Sequence, residues 1–267
     1  MNPPIPPCAT TGVGSLPHLD PARALALSLS QDLPFLPELP RLDPDEFMVP
    51  AALRGLEPGV PDLSVLRRFL AALPGPTLVK VQMVGPTTLG LERAGWLERR
   101  ARDTMAALRE AGHRALFVID EPVGPGPALP SLVRVLREQG AEVGLHCCGN
   151  TDWGAVLELD LDVVSLDARL SLEALLSHRR QWLGFVERGG SLALGIIPTN
   201  PGARYEVAAL CAAVTASLRA ATPSFEAVLS RALLTPACGL ANHSVADAER
   251  IISEVRQAQA LLLRALS

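Results

Sequence analysis

Short runs of apolar and β-branched residues alternate along this chain with longer stretches whose apolar positions recur at helical spacing. That alternation predicts repeated strand–helix units around a parallel sheet. Eight strands are expected, at Thr11–Leu16, Leu33–Leu36, Leu78–Val84, Ala115–Ile119, Glu142–Cys148, Val163–Asp167, Ser191–Ile197 and Leu233–Cys238. The second is the weakest, because Pro34, Pro37 and Pro40 punctuate it and proline cannot donate to a ladder. Helices are expected at Pro21–Leu29, Leu63–Leu73, Ala94–Ala111, Leu129–Gln139, Leu172–Glu187, Tyr205–Ala220 and Ser244–Leu266. Asp62 and Ser244 stand where N-caps belong, and Gly75, Gly112 and Gly140 where a left-handed residue would stop a helix. Eight such units in 267 residues fit one α/β domain, a single TIM (β/α)8 barrel, since that fold typically runs to ~250 residues. One domain is expected over 1–267, with a short proline-rich tail at about 1–9.

Composition narrows the partners. Hydrophobic residues make up 48% and charged residues 19%, too apolar for a disordered chain, yet no apolar run approaches the ~18 residues of a spanning helix. The first residues, Met1-Asn2-Pro3-Pro4, have neither the basic nor the apolar region of a signal peptide, so a cytoplasmic location is expected. The net charge of -4 and the scattered arginines argue against nucleic acid and membrane surfaces and for a small-molecule partner. Of the 24 basic residues only Lys80 is lysine. Five cysteines in such a chain point to metal or catalysis rather than to a disulfide framework.

In a parallel barrel the chemistry sits where strands end, and here nearly every strand closes on polar residues: Gly14-Ser15, Glu38, Gln82, Asp120-Glu121, His146-Cys147-Cys148, Asp167, Thr199-Asn200 and Cys238. The sharpest set is His146, Cys148, Asp167 and Cys238. Residues two apart on a strand share a face, so His146 and Cys148 would point inward together while Cys147 points to the helices. An isolated His-x-Cys reads equally well as a packed core; the third thiol and the carboxylate at other strand ends favour a metal. Thiolates with an imidazole select zinc. Such a centre is a weak Lewis acid, but it lowers the pKa of an incoming thiol and presents a nucleophilic thiolate, so thiol alkylation is the expected reaction class. Lys80 and Gln82 share a parity and are both expected to face inward. His18, His113, His178 and His243, with Cys8 and Cys211, are expected to be structural.

The stretches Thr11-Gly12-Val13-Gly14-Ser15-Leu16-Pro17, Gly85-Pro86-Thr87-Thr88, Ile119-Asp120-Glu121-Pro122, His146-Cys147-Cys148-Gly149-Asn150 and Pro236-Ala237-Cys238-Gly239-Leu240 resemble, in order, the C-terminal catalytic barrel of cobalamin-independent methionine synthase. The His-x-Cys-Gly-Asn wording also resembles the methylcobamide methyltransferases, which share a barrel superfamily with uroporphyrinogen decarboxylase. The resemblance implies zinc ligands at His146, Cys148 and Cys238, with Asp167 where the family has a longer glutamate. It implies acceptor binding by Gly14, Ser15 and Asp120, the last with a catalytic role, and more loosely by Glu46. It implies transfer of a methyl group to a thiol such as homocysteine. Two departures matter: the family's N-terminal folate-binding half has no counterpart, and its Asp-x-His on the seventh strand is replaced by Pro198-Thr199-Asn200. A methyltetrahydrofolate nitrogen must be protonated as it leaves, whereas a methylcorrinoid leaves without a proton, so a corrinoid or corrinoid protein is the expected donor. Alternatives are another thiol acceptor, such as the sulfonate coenzyme M bound through Lys80, and a non-catalytic zinc- or corrinoid-binding relative.

Overall fold

The computed structural model describes residues 5–57, 59–122, 124–149 and 151–266. The expected tail therefore falls partly outside the described residues, as does Asn150 of the fourth motif. Among the described residues seven strands form one all-parallel sheet: β1 (Ala9–Thr10), β2 (Leu78–Val84), β3 (Arg114–Asp120), β4 (Glu142–Cys147), β5 (Val163–Asp167), β6 (Ser191–Ile197) and β7 (Leu233–Pro236). Their spatial order is β1-β7-β6-β5-β4-β3-β2, so from β2 onward each strand lies beside its predecessor in sequence.

The expected second strand does not form as an element. Its segment instead touches both ends of the sheet through two isolated parallel bridges, Ser15 with Glu38 and Phe35 with Lys80. Backbone hydrogen bonds Leu33 N to Thr10 O (3.1 Å), Leu16 N to Glu38 O (2.8 Å), Leu36 N to Lys80 O (2.8 Å) and Lys80 N to Pro34 O (2.8 Å) accompany them. Three prolines leave this segment too few donors for a regular ladder. The first strand also starts earlier than expected and stops at Thr10, because Gly12 and Gly14 carry the chain out of the sheet. Gly14 adopts φ +153, and a Cβ there would collide with the Gln82 side chain, so only glycine allows this turn to lie against β2.

Most of the sheet's outward residues join the large core shared with the helices. A separate small cluster of Ala9, Leu33, Leu78, Leu116, Val118, Val163, Ala193 and Leu233 fills the inner face toward the strands' N-terminal ends. Further along the same inward parity the residues turn polar: Lys80 and Gln82 on β2, Asp120 on β3, His146 on β4, Ser165 on β5 and Thr235 on β7, all buried. That gradient assigns the chemistry to the C-terminal mouth.

The helices follow the expected pattern with local exceptions. Leu172–Glu187 is two helices, Ala168–Ser177 and Arg179–Glu187, separated at His178. Short helices at Pro86–Leu89, Met48–Leu53, Trp153–Glu158 and Phe225–Arg231 were not foreseen. Gly112 (φ 79) and Gly140 (φ 82) take the left-handed conformation expected of helix stops, but Gly75 does not; that helix ends at Ala72, before an extended Leu73. Ser244 caps as expected, accepting from Asp247 N (3.1 Å), whereas the N-cap beside Asp62 is Leu63 and Asp62 only accepts from Ser64 N (2.8 Å) just outside the helix. No helix among the described residues is long and apolar enough to cross a membrane.

Candidate metal centre and adjoining cavity

The five motifs meet at the mouth, and much of their conservative-looking wording is explained by how they interlock. Glu121, fully buried, accepts from Thr87 N (2.7 Å), Thr88 N (3.0 Å) and Thr88 Oγ1 (2.7 Å). It thereby ties β3 to the start of the Pro86–Leu89 turn, with Gly85 leaving room for its carboxylate. Gly149 leaves room for the Pro122 carbonyl, and Gly239 for the Ser15 hydroxyl. Leu240 N donates to Ser15 O at 2.9 Å, holding the seventh strand's end against the first motif.

Lateral register does the rest. Asp120 on β3 pairs with His146 on β4, which pairs with Ser165 on β5, so three polar side chains of one parity stand side by side. Ser165 Oγ lies 2.9 Å from His146 Nδ1 and fixes the ring. The other ring nitrogen, Nε2, is buried and has no hydrogen-bond partner. Cys148, just past β4, and Cys238, just past β7, complete a cluster: one donor atom from each of His146, Cys148 and Cys238 lies within 4.8 Å of the other two. Cys147 has the opposite parity and is fully buried in the helix-side core, as expected.

The electrostatics suit a cation. A hydrogen bond shared with Cys238, and the nearby His146 ring, pull the Cys148 thiol well below the ordinary range. The same sharing, with burial, drives Cys238 upward. Two sulfur donors thus face an imidazole whose Nε2 lacks a partner. Ligand-to-ligand spacings in a tetrahedral zinc site with these donors are roughly 3.3–3.8 Å, so the cluster needs only side-chain adjustment to close on an ion. His146, Cys148 and Cys238 fit zinc on this test.

Asp167 does not join the cluster. Its Oδ1 accepts from Arg169 N (2.9 Å) and Leu170 N (3.1 Å), capping the helix Ala168–Ser177. The carboxylate is drawn to the helix start because two amides there would otherwise go unpaired. It lines an open recess that also borders Cys148, Cys238, Thr199 and Asn200.

A cavity of about 240 Å³ lies against the cluster, lined by His146, Cys148 and Cys238 together with Gly14, Ser15, Glu38, Gln82 and Asp120, with Phe47 and Met48 also in its wall. The structure thus gathers three of the expected acceptor residues around one space, which falls below the ~300–1,000 Å³ of drug-sized pockets. Asp120 Oδ1 is buried without a partner, and withdrawal from water raises its pKa against the opposing pull of His146 and Lys80. Glu46 is elsewhere: its carboxylate accepts from Leu39 N (2.6 Å) and pairs with Arg68 (3.1 Å), a structural tie behind the cavity wall. The acid that faces the cavity beside Asp120 is Glu38, half-buried and pushed up to about 8 by loss of water and by Asp120. Its strand-end position was the available signal, but the proline-broken strand weakened it. Lys80 is buried beneath the cavity rather than lining it, with Nζ 2.5 Å from Val13 O and 3.2 Å from Gln82 Oε1. An acceptor sulfonate is therefore not offered its ammonium.

The remaining histidines and cysteines stay outside this site. His18 pairs with Glu249 (3.2 Å), His113 Nδ1 accepts from Thr77 N (3.3 Å), and Cys8 and Cys211 are buried thiols, both raised to about 11 chiefly by burial.

No protein-family description matches this chain, and no curated protein does. Among solved structures, the Bacillus subtilis YkuI protein, an EAL-domain protein in complex with c-di-GMP and calcium, aligns at 15% identity and a TM-score of 0.36. The alignment covers 75% of this chain and 48% of that one, so this chain spans about half of its length. A likeness this distant carries no functional argument.

Proposed function

We propose that this chain is a zinc-dependent methyltransferase, built on a (β/α)8-type barrel whose second strand is reduced to bridges. It transfers a methyl group from a methylcorrinoid to a small thiol acceptor of the homocysteine class. The observation that carries the reading is the meeting of an unpartnered His146 Nε2 with Cys148 and Cys238, on the wall of a cavity that also holds an unpartnered Asp120 oxygen.

His146, Cys148 and Cys238 would hold the metal, with Ser165 orienting the imidazole from behind. Bound there, zinc would keep an acceptor sulfur in its thiolate form at neutral pH. The chain's own residues supply position. Asp120 and Glu38 face the same space and would take an ammonium group between them. Ser15 offers a hydroxyl to a carboxylate, and Gly14 lets the first motif lie close enough for both ends of an amino acid to be held at once. The acceptor sulfur then attacks the methyl carbon in line: the S–C bond forms, the donor–C bond breaks, and its electron pair leaves with the donor. Fixing the acceptor in this orientation lowers the entropic part of the barrier. Thr199 and Asn200 border the open side of the cysteine pair where the resembled family carries its proton donor, and neither can supply a proton, which favours a leaving group that needs none.

The test is methionine formation from homocysteine and methylcobalamin by the zinc-loaded chain, followed by mass spectrometry. Product is expected with the native sequence and none above background with Cys148→Ala or Cys238→Ala. A zinc-loaded chain that forms no methionine overturns the proposal.

A further inference from the structure

Side chains close the gap between β2 and the segment that stops short of being a strand. Toward the mouth, backbone pairing between the two reaches Leu36 N to Lys80 O; there Gln82 Nε2 takes over, donating to Leu36 O at 2.9 Å. Behind this gap lies a second cavity of about 50 Å³, with Met83, Phe117, Thr104 and Arg54 in its wall. Met83 and Phe117 have the parity opposite to Gln82 and belong to the helix-side core, so this space lies on the other side of the sheet from the cavity beside the metal cluster. Glu38, Gln82 and Met48 line both spaces and form the partition between them. The Glu38 backbone is tied to Gly14 O and Leu16 N, and the Gln82 amide to Leu36 O and the Lys80 ammonium. Met48 has no such tie. It is a partly buried thioether on the first residue of the six-residue helix Met48–Leu53, whose N-cap Phe47 makes no side-chain cap bond, and methionine fills irregular gaps and repacks readily. The space behind it is polar: the Arg54 guanidinium pairs with Asp43 and Asp62, yet its Nη1 is buried without a partner.

We propose that Met48 is a specificity-determining residue: its side chain is the movable part of the partition and sets the length of the thiol acceptor that the cavity takes. The inference rests on the reading of this cavity as the acceptor site. With the sulfur held at the cysteine pair, each added methylene carries the amino-acid end of an acceptor away from the metal cluster, toward the wall that Glu38, Gln82 and Met48 form. In the native chain the thioether stops it there, so homocysteine is accommodated and a longer homologue is not. Shortening that side chain joins the two spaces, and the polar end of the longer homologue gains a recess in which Arg54 Nη1 offers a donor to its carboxylate. One methylene more or less in an apolar-walled pocket changes selectivity roughly 10–200-fold, so an extension by two is readily resolved.

Calorimetric titration of the zinc-loaded chain, with no methyl donor present, tests this by comparing L-homocysteine with L-2-amino-6-mercaptohexanoate, which is longer by two methylenes. The native chain is expected to prefer homocysteine by at least about tenfold. Met48→Ala should shift the ratio of the two affinities toward the longer thiol by about tenfold. Met48→Val, which removes less of the side chain, should shift it in the same direction by less, so the test does not depend on Met48→Ala folding. Met48→Leu, close to methionine in volume, should keep the native ratio. A ratio unchanged in both Met48→Ala and Met48→Val, with homocysteine still bound, overturns the role of Met48 and leaves the acceptor site standing. A native chain that binds neither thiol overturns both. A shifted ratio in a chain that never forms methionine would sink the reaction proposed above and leave the role of Met48 in place.

Discussion

Ser165→Ala isolates the support behind the metal centre. In the native chain the Ser165 hydroxyl, 2.9 Å from His146 Nδ1, is that nitrogen's partner, while Nε2 has none. Removing the hydroxyl leaves both nitrogens of a ring that is 4% exposed without partners. An unsatisfied buried polar group costs about 1–3 kcal/mol, and the metal-free variant should lose roughly that much in urea unfolding. Zinc recovers part of it, because the ring is then held through Nε2, but its orientation is looser. Loss of a hydrogen bond behind a ligating histidine typically lowers metal affinity 10–100-fold, and competition against a chromophoric chelator reads this directly. Full zinc stoichiometry should survive with weaker binding, in contrast to His146→Ala, which removes the ligand. An unchanged zinc affinity in a variant that has lost stability would mean that His146 is held for packing alone, and the account of the ring as a ligand would fail.

Other consequences follow from the same contacts. Asp167→Asn should preserve both the cap and zinc stoichiometry, whereas Asp167→Ala should cost about 0.5–2 kcal/mol of stability with zinc still bound; zinc lost from both variants would make Asp167 a ligand instead. Glu121→Ala strips three charge-assisted hydrogen bonds from Thr87 and Thr88 and should destabilise by about 2–4 kcal/mol, seen as a fall in Tm; a change under about 0.5 kcal/mol would refute the interlocking of the second and third motifs. Glu38 has its folded pKa raised from 4.5 to about 8, so the folded state holds its proton more tightly than the unfolded one. Its stabilising contribution is full below about pH 4.5 and is lost as the pH rises to 8. Glu38→Gln should therefore gain stability relative to the native chain across that window, and parallel pH–stability curves would contradict the poorly hydrated setting assigned to Glu38.

Elements carried by long apolar runs were legible from the residues. β2, β5 and β6 span the expected residues, and β3 and β4 differ only at their ends. The failures have local causes. Pro34, Pro37 and Pro40 hold the second segment in the right place but deny it a ladder. His178 breaks what helical periodicity presents as one helix, because period alone does not register a backbone that leaves the helical region for one residue. The meeting of His146, Cys148 and Cys238 was legible from parity and strand ends, since alternation sets which side chains share a face. Asp167 caps a helix outside the cluster for a physical reason: a carboxylate that ends a strand also begins a helix, and spacing cannot say whether amides or a metal will claim it. Glu46 and Glu38 show the same limit, for burial and partners chose between two acids eight residues apart. Lys80 was rightly placed on the inward face, but only the structure showed its ammonium already committed beneath the cavity.

The central claim is that His146, Cys148 and Cys238 form a zinc centre. The most direct measurement is zinc content per chain by elemental analysis under reducing conditions, for the native sequence alongside Cys148→Ala and Cys238→Ala. The account predicts about one zinc per native chain and its loss in both variants. A native chain that takes up no zinc even after reconstitution would contradict it, leaving the cysteines as buried packing at the mouth of the sheet.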